Sequence, residues 1–250
     1  MSRQSLLKAV SSLPPSASLQ VWQGTEIAQA TGKVVPSGFA ALDAELPGGG
    51  WPLGSMVEVL QNQPGQHVWQ LILPALVQAA KEQAGPVVLV AAPFDPFGPS
   101  LQASGLPLDR LLKLQADKAS ARLWATEQAL RCAEVSAVLA WLPKASSTEL
   151  RRLHMAAQQQ GRLLFVFRPV QACQSSTPAR LQLQVEGAKD LQVRILKRRG
   201  PPLLQPVCLP AQPARLSALL QARRNKASRV VTVIQPGSRS HVLDRTEAHA

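Results

Sequence analysis

Three short apolar runs constrain the fold more than any other feature: Val87–Ala92, Val135–Leu142 and Leu163–Phe167. None approaches the roughly 20 residues that a helix needs to cross a bilayer. Each instead has the length of a strand and lacks a polar alternation, as expected of strands covered on both faces. The stretches between them carry helix signals. One helix is predicted from His67 to about Ala84, with Gly85 as its C-cap and Pro74 inside it as a kink or a late start. Another is predicted over Ser120–Cys132, and a third from Ser147 or Thr148 to Gly161. Strands and helices therefore alternate through about 110 residues, the pattern of a parallel sheet with helices on its faces.

The pattern changes on both sides of this stretch. Met56–Leu60 is a strand candidate followed by the loop Gln61–Gln66. Before it, Ser37 is placed to cap a helix through Phe39, Leu42 and Leu46, ended by Gly48–Gly50. After Pro93–Pro99 a short helix near Ser100 precedes a strand over Arg110–Gln115. Further on, Arg180–Glu186 alternates strictly and Leu191–Lys197 does so again, with Gly187 and Asp190 between them. That is a hairpin with one wet face. Leu203–Leu209, broken by Pro206, adds an edge segment. Residues 4–12 read as a short helix stopped by Pro14 and Pro15, and Arg215–Arg224 as a basic amphipathic helix. Beyond 225 only Val230–Ile234 has a pattern, and a largely mobile tail is expected.

Charge divides the chain unevenly. Residues 1–193 hold 16 basic and 13 acidic side chains, whereas 194–250 hold 11 basic and 2 acidic. With 46% apolar residues the body can pack a core. The expected organisation is an N-terminal helical segment over 1–20, a core over 21–210 and a basic, partly disordered tail over 211–250. Lys197, Arg198, Arg199, Arg215, Arg223, Arg224, Lys226 and Arg229 are the candidate binding residues. They suit phosphate contacts that do not read sequence. They equally suit an acidic partner, with Leu216, Leu219 and Leu220 as its apolar contact, or that stripe packs on the chain's own sheet.

Other side chains offer little chemistry. Cys132, Cys173 and Cys208 stand far apart, so neither a zinc site nor a disulfide framework is expected. The four histidines have no metal spacing. His154, beside Arg151 and Arg152, reads as a solvated helix residue. Trp22 and Trp51 are candidate exposed contacts, and Trp69, Trp124 and Trp141 fit core positions. With Lys8 interrupting any leader-like core, the expected compartment is the bacterial cytoplasm, close to the nucleoid, with no membrane partner.

The segment Val34–Leu60 contains Ser37-Gly38, Leu42-Asp43, Gly48-Gly49-Gly50 and Pro52-Leu53-Gly54 ahead of its strand. This is similar to the entry into the RecA recombinase core, and the later elements follow the RecA order through to the hairpin. With the run Lys197-Arg198-Arg199, the length and the basic end, the chain resembles the ImuA family of RecA-related mutasome accessory proteins over residues 20–205. The resemblance implies a RecA-like three-layer α/β core with a mainly parallel sheet ending in an antiparallel hairpin.

The chemistry of that core is missing. A phosphate loop needs Gly-x-x-x-x-Gly-Lys-Ser/Thr, so that backbone amides, a lysine and a hydroxyl surround phosphate and magnesium. Here Gln61 and Gln66 stand at the glycine positions, His67 replaces the lysine, and Val68 and Trp69 replace the hydroxyls. Shifting by one residue recovers Gly65 but puts Gln66 at the lysine. After Val87–Ala92 no catalytic glutamate appears, and Asp95 reads as turn chemistry beside Pro96. Val135–Leu142 ends without an aspartate. The loop Arg168–Ala179, where RecA carries a DNA-binding loop, has no aromatic for base stacking.

The expectation is therefore a non-catalytic protein without cofactor or metal. The ImuA resemblance implies translesion DNA synthesis within the SOS response. Its implied partners are RecA, an inactive Y-family polymerase-like subunit and an error-prone DNA polymerase, with single-stranded DNA as a further contact. Two alternatives stay open: a divergent DNA-binding ATPase, and a relative of the SOS cell-division inhibitor SulA. The length and basic tail favour the first reading.

Overall fold

The computed structural model describes residues 32–82, 85–187 and 190–210. The expectations for residues 1–20, Trp22 and everything from residue 211 onward lie outside them.

Two short strands, β1 (Val34–Val35) and β2 (Trp51–Pro52), pair antiparallel and bracket helix α1 (Ala40–Asp43). Ser37 does not cap α1 as expected. Phe39 holds that position, and the Ser37 backbone N–H instead donates to Asp43 Oδ1 at 2.8 Å. Then come β3 (Ser55–Gln61), α2 (Val68–Glu82), β4 (Val87–Val90), α3 (Gly98–Ala103), β5 (Leu111–Leu114), α4 (Ala119–Arg131), β6 (Ala137–Trp141), α5 (Ser147–Gln160) and β7 (Leu163–Pro169). The hairpin β8 (Leu181–Glu186) and β9 (Leu191–Lys197) follows, with β10 (Val207–Leu209) on its edge.

The eight strands β3–β10 form one sheet in the order β10-β9-β8-β3-β7-β6-β4-β5. Every pairing from β8 to β5 is parallel, and β8, β9 and β10 pair antiparallel. The molecule is thus a mixed α/β protein with a mostly parallel sheet.

The apolar runs are unbroken because both sheet faces are covered. Val87 and Leu89 join Leu71, Ile72 and Leu76 of α2 in one core, while Val88 and Val90 join Leu123 and Leu130 of α4 and Leu150 and Leu153 of α5 in another. Burying each such side chain contributes roughly 1.5–3 kcal/mol. Helix α2 runs through Pro74 without a late start.

Gly85 sits at a close approach of two backbones. A Cβ there would lie 1.5 Å from the carbonyl oxygen of Glu134, so only glycine lets the two backbones approach. Gly161 does cap α5, at φ 62°. At the other end of α5, Ser146 and Glu149 form a reciprocal capping box.

The tryptophans depart from expectation. Trp51 is fully buried, its ring edge-on to Phe165 at 5.3 Å. Trp124 is 64% exposed on α4. Trp141 is buried as expected and stacks on Phe167 at 4.6 Å. Among the described residues no helix is long and apolar enough to cross a membrane.

Candidate functional site

The C-terminal ends of β3, β4, β6 and β7 carry the loops where an open α/β sheet usually places its ligands. In the first of them Gln61, Gly65, Gln66, His67 and Val68 are brought together, but as a closed structure. The Gln61 side chain turns into its own loop. Its amide nitrogen donates to the Gln66 carbonyl, and its Oε1 accepts from the Gly65 N–H at 3.3 Å. The backbone amide that would face a phosphate is thereby engaged within the loop. His67 adopts φ 58°, and its ring is held by two oxygens: Nε2 lies 2.8 Å from the Gly187 carbonyl and Nδ1 3.2 Å from Gln70 Oε1. That ring fastens the loop to the β8–β9 turn. Val68 is buried and opens α2.

The loop after β4 lies against this one. A Cβ on Gly65 would meet the Phe94 ring at 3.0 Å and Pro93 at 3.1 Å. Asp95 forms an ion pair with Lys113 on β5, which agrees with a structural role in the turn. Phe94 and Phe97 are 70% and 72% exposed. Leu108, partly exposed, packs where Gly98 leaves room for it. These three form an apolar edge that sequence reasoning missed. The signal was two of the chain's five phenylalanines in a run also holding Pro93, Pro96 and Pro99, too short to bury them.

The ends of β6 and β7 are taken up internally. Arg168 is buried; its Nη1 donates to Glu58 Oε1 at 2.7 Å and its Nη2 to the Ala145 carbonyl at 3.0 Å. Gln182 donates to the other Glu58 oxygen at 2.9 Å. Arg168 is thus unavailable to a phosphate.

The basic candidates divide. Arg198 donates to the Glu45 carbonyl at 2.6 Å and to Glu45 Oε2 at 2.7 Å, so it ties the end of β9 to the segment after α1. Lys197 donates to the Thr177 carbonyl at 3.0 Å but stays exposed. Arg199 is exposed. Arg215, Arg223, Arg224, Lys226 and Arg229 lie outside the described residues.

His154 is not solvated. It is 9% exposed, and its Nδ1 accepts from the backbone N–H of Met56 at 3.1 Å. Burial first, then the positive charges of Arg180 and Lys197, hold its pKa below the usual histidine range.

Comparison with known proteins places most of these loops in one family. The model of the cell division inhibitor SulA family matches residues 54–164. The chain is 34% identical over 107 residues to the cell division inhibitor SulA of Edwardsiella piscicida, a match covering 43% of this chain and 64% of that protein. It is 32% identical over 117 residues to the SulA of Serratia marcescens, covering 46% of this chain and 68% of the relative. The SulA of Yersinia pestis strain Pestoides F is 34% identical over 111 residues, covering 44% and 64%. The chain thus spans just under two thirds of the first of these relatives.

These matches overturn the ImuA assignment. They overturn with it RecA, the Y-family polymerase-like subunit, the error-prone polymerase and single-stranded DNA as partners, and translesion synthesis as the role. The cause of the error is visible. The features that pointed to ImuA, the segment from Ser37 to Leu53, the chain length and the basic end, lie outside the matched residues 54–164. The chain belongs to the SulA cell division inhibitor family.

Proposed function

We propose that this chain inhibits bacterial cell division as part of the SOS response, by binding a tubulin-like division protein and blocking its assembly. The observation that carries this reading is the exposed edge of Phe94, Phe97 and Leu108, which lies inside the family match at residues 54–164. A contact shared across the family must come from those residues. Large aromatic side chains at 70% exposure cost hydration unless a partner covers them, and they are effective contact groups when one does.

The protein acts without catalysis. The Gln61 amide occupies the phosphate loop from inside, and His67 is spent on the Gly187 carbonyl. No such observation favours the divergent ATPase. The parallel core, entered through Ser37-Gly38 and Leu42-Asp43, is then a RecA-like scaffold reused for binding. Its site of action is the cytoplasm.

The test is assembly of the tubulin-like division protein, followed by light scattering while this chain is added. Loss of assembly near equimolar amounts is expected, with no nucleotide consumed by this chain alone. Undiminished assembly at tenfold excess would sink the proposal.

A further inference from the structure

A second surface lies at the opposite end of the sheet, largely outside the residues shared with the family. Arg180 directly precedes β8, and the register pairs Leu181 with Val57, which places Arg180 opposite Met56. Met56 is the residue whose N–H holds His154 of α5. Lys197 ends β9 opposite Gln182, at a register shift in the hairpin, and donates to Thr177 on the segment leading to Arg180. The positive charges of Arg180 and Lys197 both act on His154.

Two exposed cations, Arg180 and Lys197, therefore meet where β8 begins and β9 ends. Arg180 makes no ion pair with another described residue, and among them Lys197 bonds only to a carbonyl. The carboxylate on β3, Glu58, is buried and consumed by Arg168 and Gln182. Leu196, beside Lys197, is 39% exposed and supplies an apolar contact.

We propose that the corner formed by Arg180 and Lys197 is a docking site for an acidic peptide segment of a protein partner. A peptide fits better than a nucleic acid. The exposed aromatic rings among the described residues, Phe94, Phe97 and Trp124, stand on the loop after β4 and on α4, so no stacking platform accompanies these cations. A leucine beside charges suits a side chain of a peptide.

The experiment uses the full chain and a fluorescein-labelled deca-glutamate peptide, with anisotropy read at roughly physiological salt. The pair Arg180→Glu with Lys197→Glu is compared with a control pair of equal charge change, Lys118→Glu with Lys144→Glu. Both control residues are exposed and follow the C-terminal ends of strands. The expected result is a loss of about tenfold or more for the first pair and less than about threefold for the control. Equal losses for both pairs, or none for either, would overturn the proposal, since net charge or the basic end would then account for binding. An oligothymidine that binds more tightly than the peptide, and depends on Arg180 and Lys197, would also overturn it. Should the reversed pair fail to fold by circular dichroism, the Arg180→Gln, Lys197→Gln pair replaces it, with a loss of about threefold or more expected and no loss overturning the proposal.

Discussion

The backbone N–H of Met56 donates to Nδ1 of His154 at 3.1 Å, so a helix side chain takes the place of a strand partner on the central strand β3. The bond requires Nδ1 to be unprotonated. Charging His154 breaks it and leaves two cations, Arg180 and Lys197, facing a third.

A pH dependence follows. His154 has a folded pKa below the unfolded value of about 6.5. The unfolded chain binds the extra proton more readily, so stability is complete above about pH 6.5 and falls as the pH drops toward the folded pKa. Urea midpoints measured from pH 7.5 to pH 5 should decline for the wild type. His154→Leu should flatten that decline and cost about 1–3 kcal/mol at pH 7.5, because the Met56 N–H is left unpaired.

The buried pair Glu58–Arg168 makes a different prediction. Both side chains are almost fully enclosed, with N–O separation 2.7 Å. Arg168→Met should destabilise by about 3–5 kcal/mol, since the Glu58 charge remains without its partner. Glu58→Leu combined with Arg168→Met should lose less than the single variant. A double-mutant cycle in urea checks this, and an additive cycle would show that the pair is uncoupled.

Much of the parallel sheet was legible because both faces of β4, β6 and β7 are covered, which leaves plain apolar runs in the sequence. His154 was not, because its neighbours Arg151 and Arg152 suggested a wet helix face. Yet Leu150, Leu153, His154 and Ala157 fall at i, i+3, i+4 and i+7, one stripe of an amphipathic helix. The histidine stands in the apolar stripe with a bond to justify it. Trp124 fails in the opposite sense: hydrophobic size suggested the core, but position 124 lies off the buried stripe of Leu123, Thr126, Glu127 and Leu130. The loss of the phosphate-binding pattern in the Gln61–Val68 loop was read from missing residues alone. That Gln61 fills it was not legible, since the side chain bonds depend on a turn the sequence does not spell out.

The capping box of α5 offers a local check. Ser146 accepts from the Glu149 N–H, and Glu149 Oε2 accepts from the Ser146 N–H at 2.7 Å. The Ser146 N–H first, and then the Ser146 hydroxyl donating to the same Oε2 at 2.8 Å, hold the Glu149 carboxyl below its usual pKa. Ser146→Ala should cost about 1 kcal/mol near neutral pH. The Glu149 contribution is present above its unfolded pKa and is lost as the pH falls through the folded one. The difference between variant and wild type should therefore narrow in acid, as read by thermal melts at pH 7 and pH 3.

Phe94 and Phe97 separate binding from stability. Both rings are mostly in solvent, so Phe97→Ala should change the unfolding free energy read from urea titration by no more than about 0.5 kcal/mol. Phe94→Ala should cost slightly more, since the ring edge also rests near Gly65. If this edge meets the division protein, either change should weaken inhibition of its assembly by about tenfold or more, the scale of a buried aromatic contact. Trp124→Ala is the matched control: its ring is also exposed, but on α4 rather than on the loop after β4. Retained inhibition in the two phenylalanine variants, with loss in Trp124→Ala, would move the docking face from the strand ends to the helical layer. A loss in all three at unchanged stability would mean a surface that spans both.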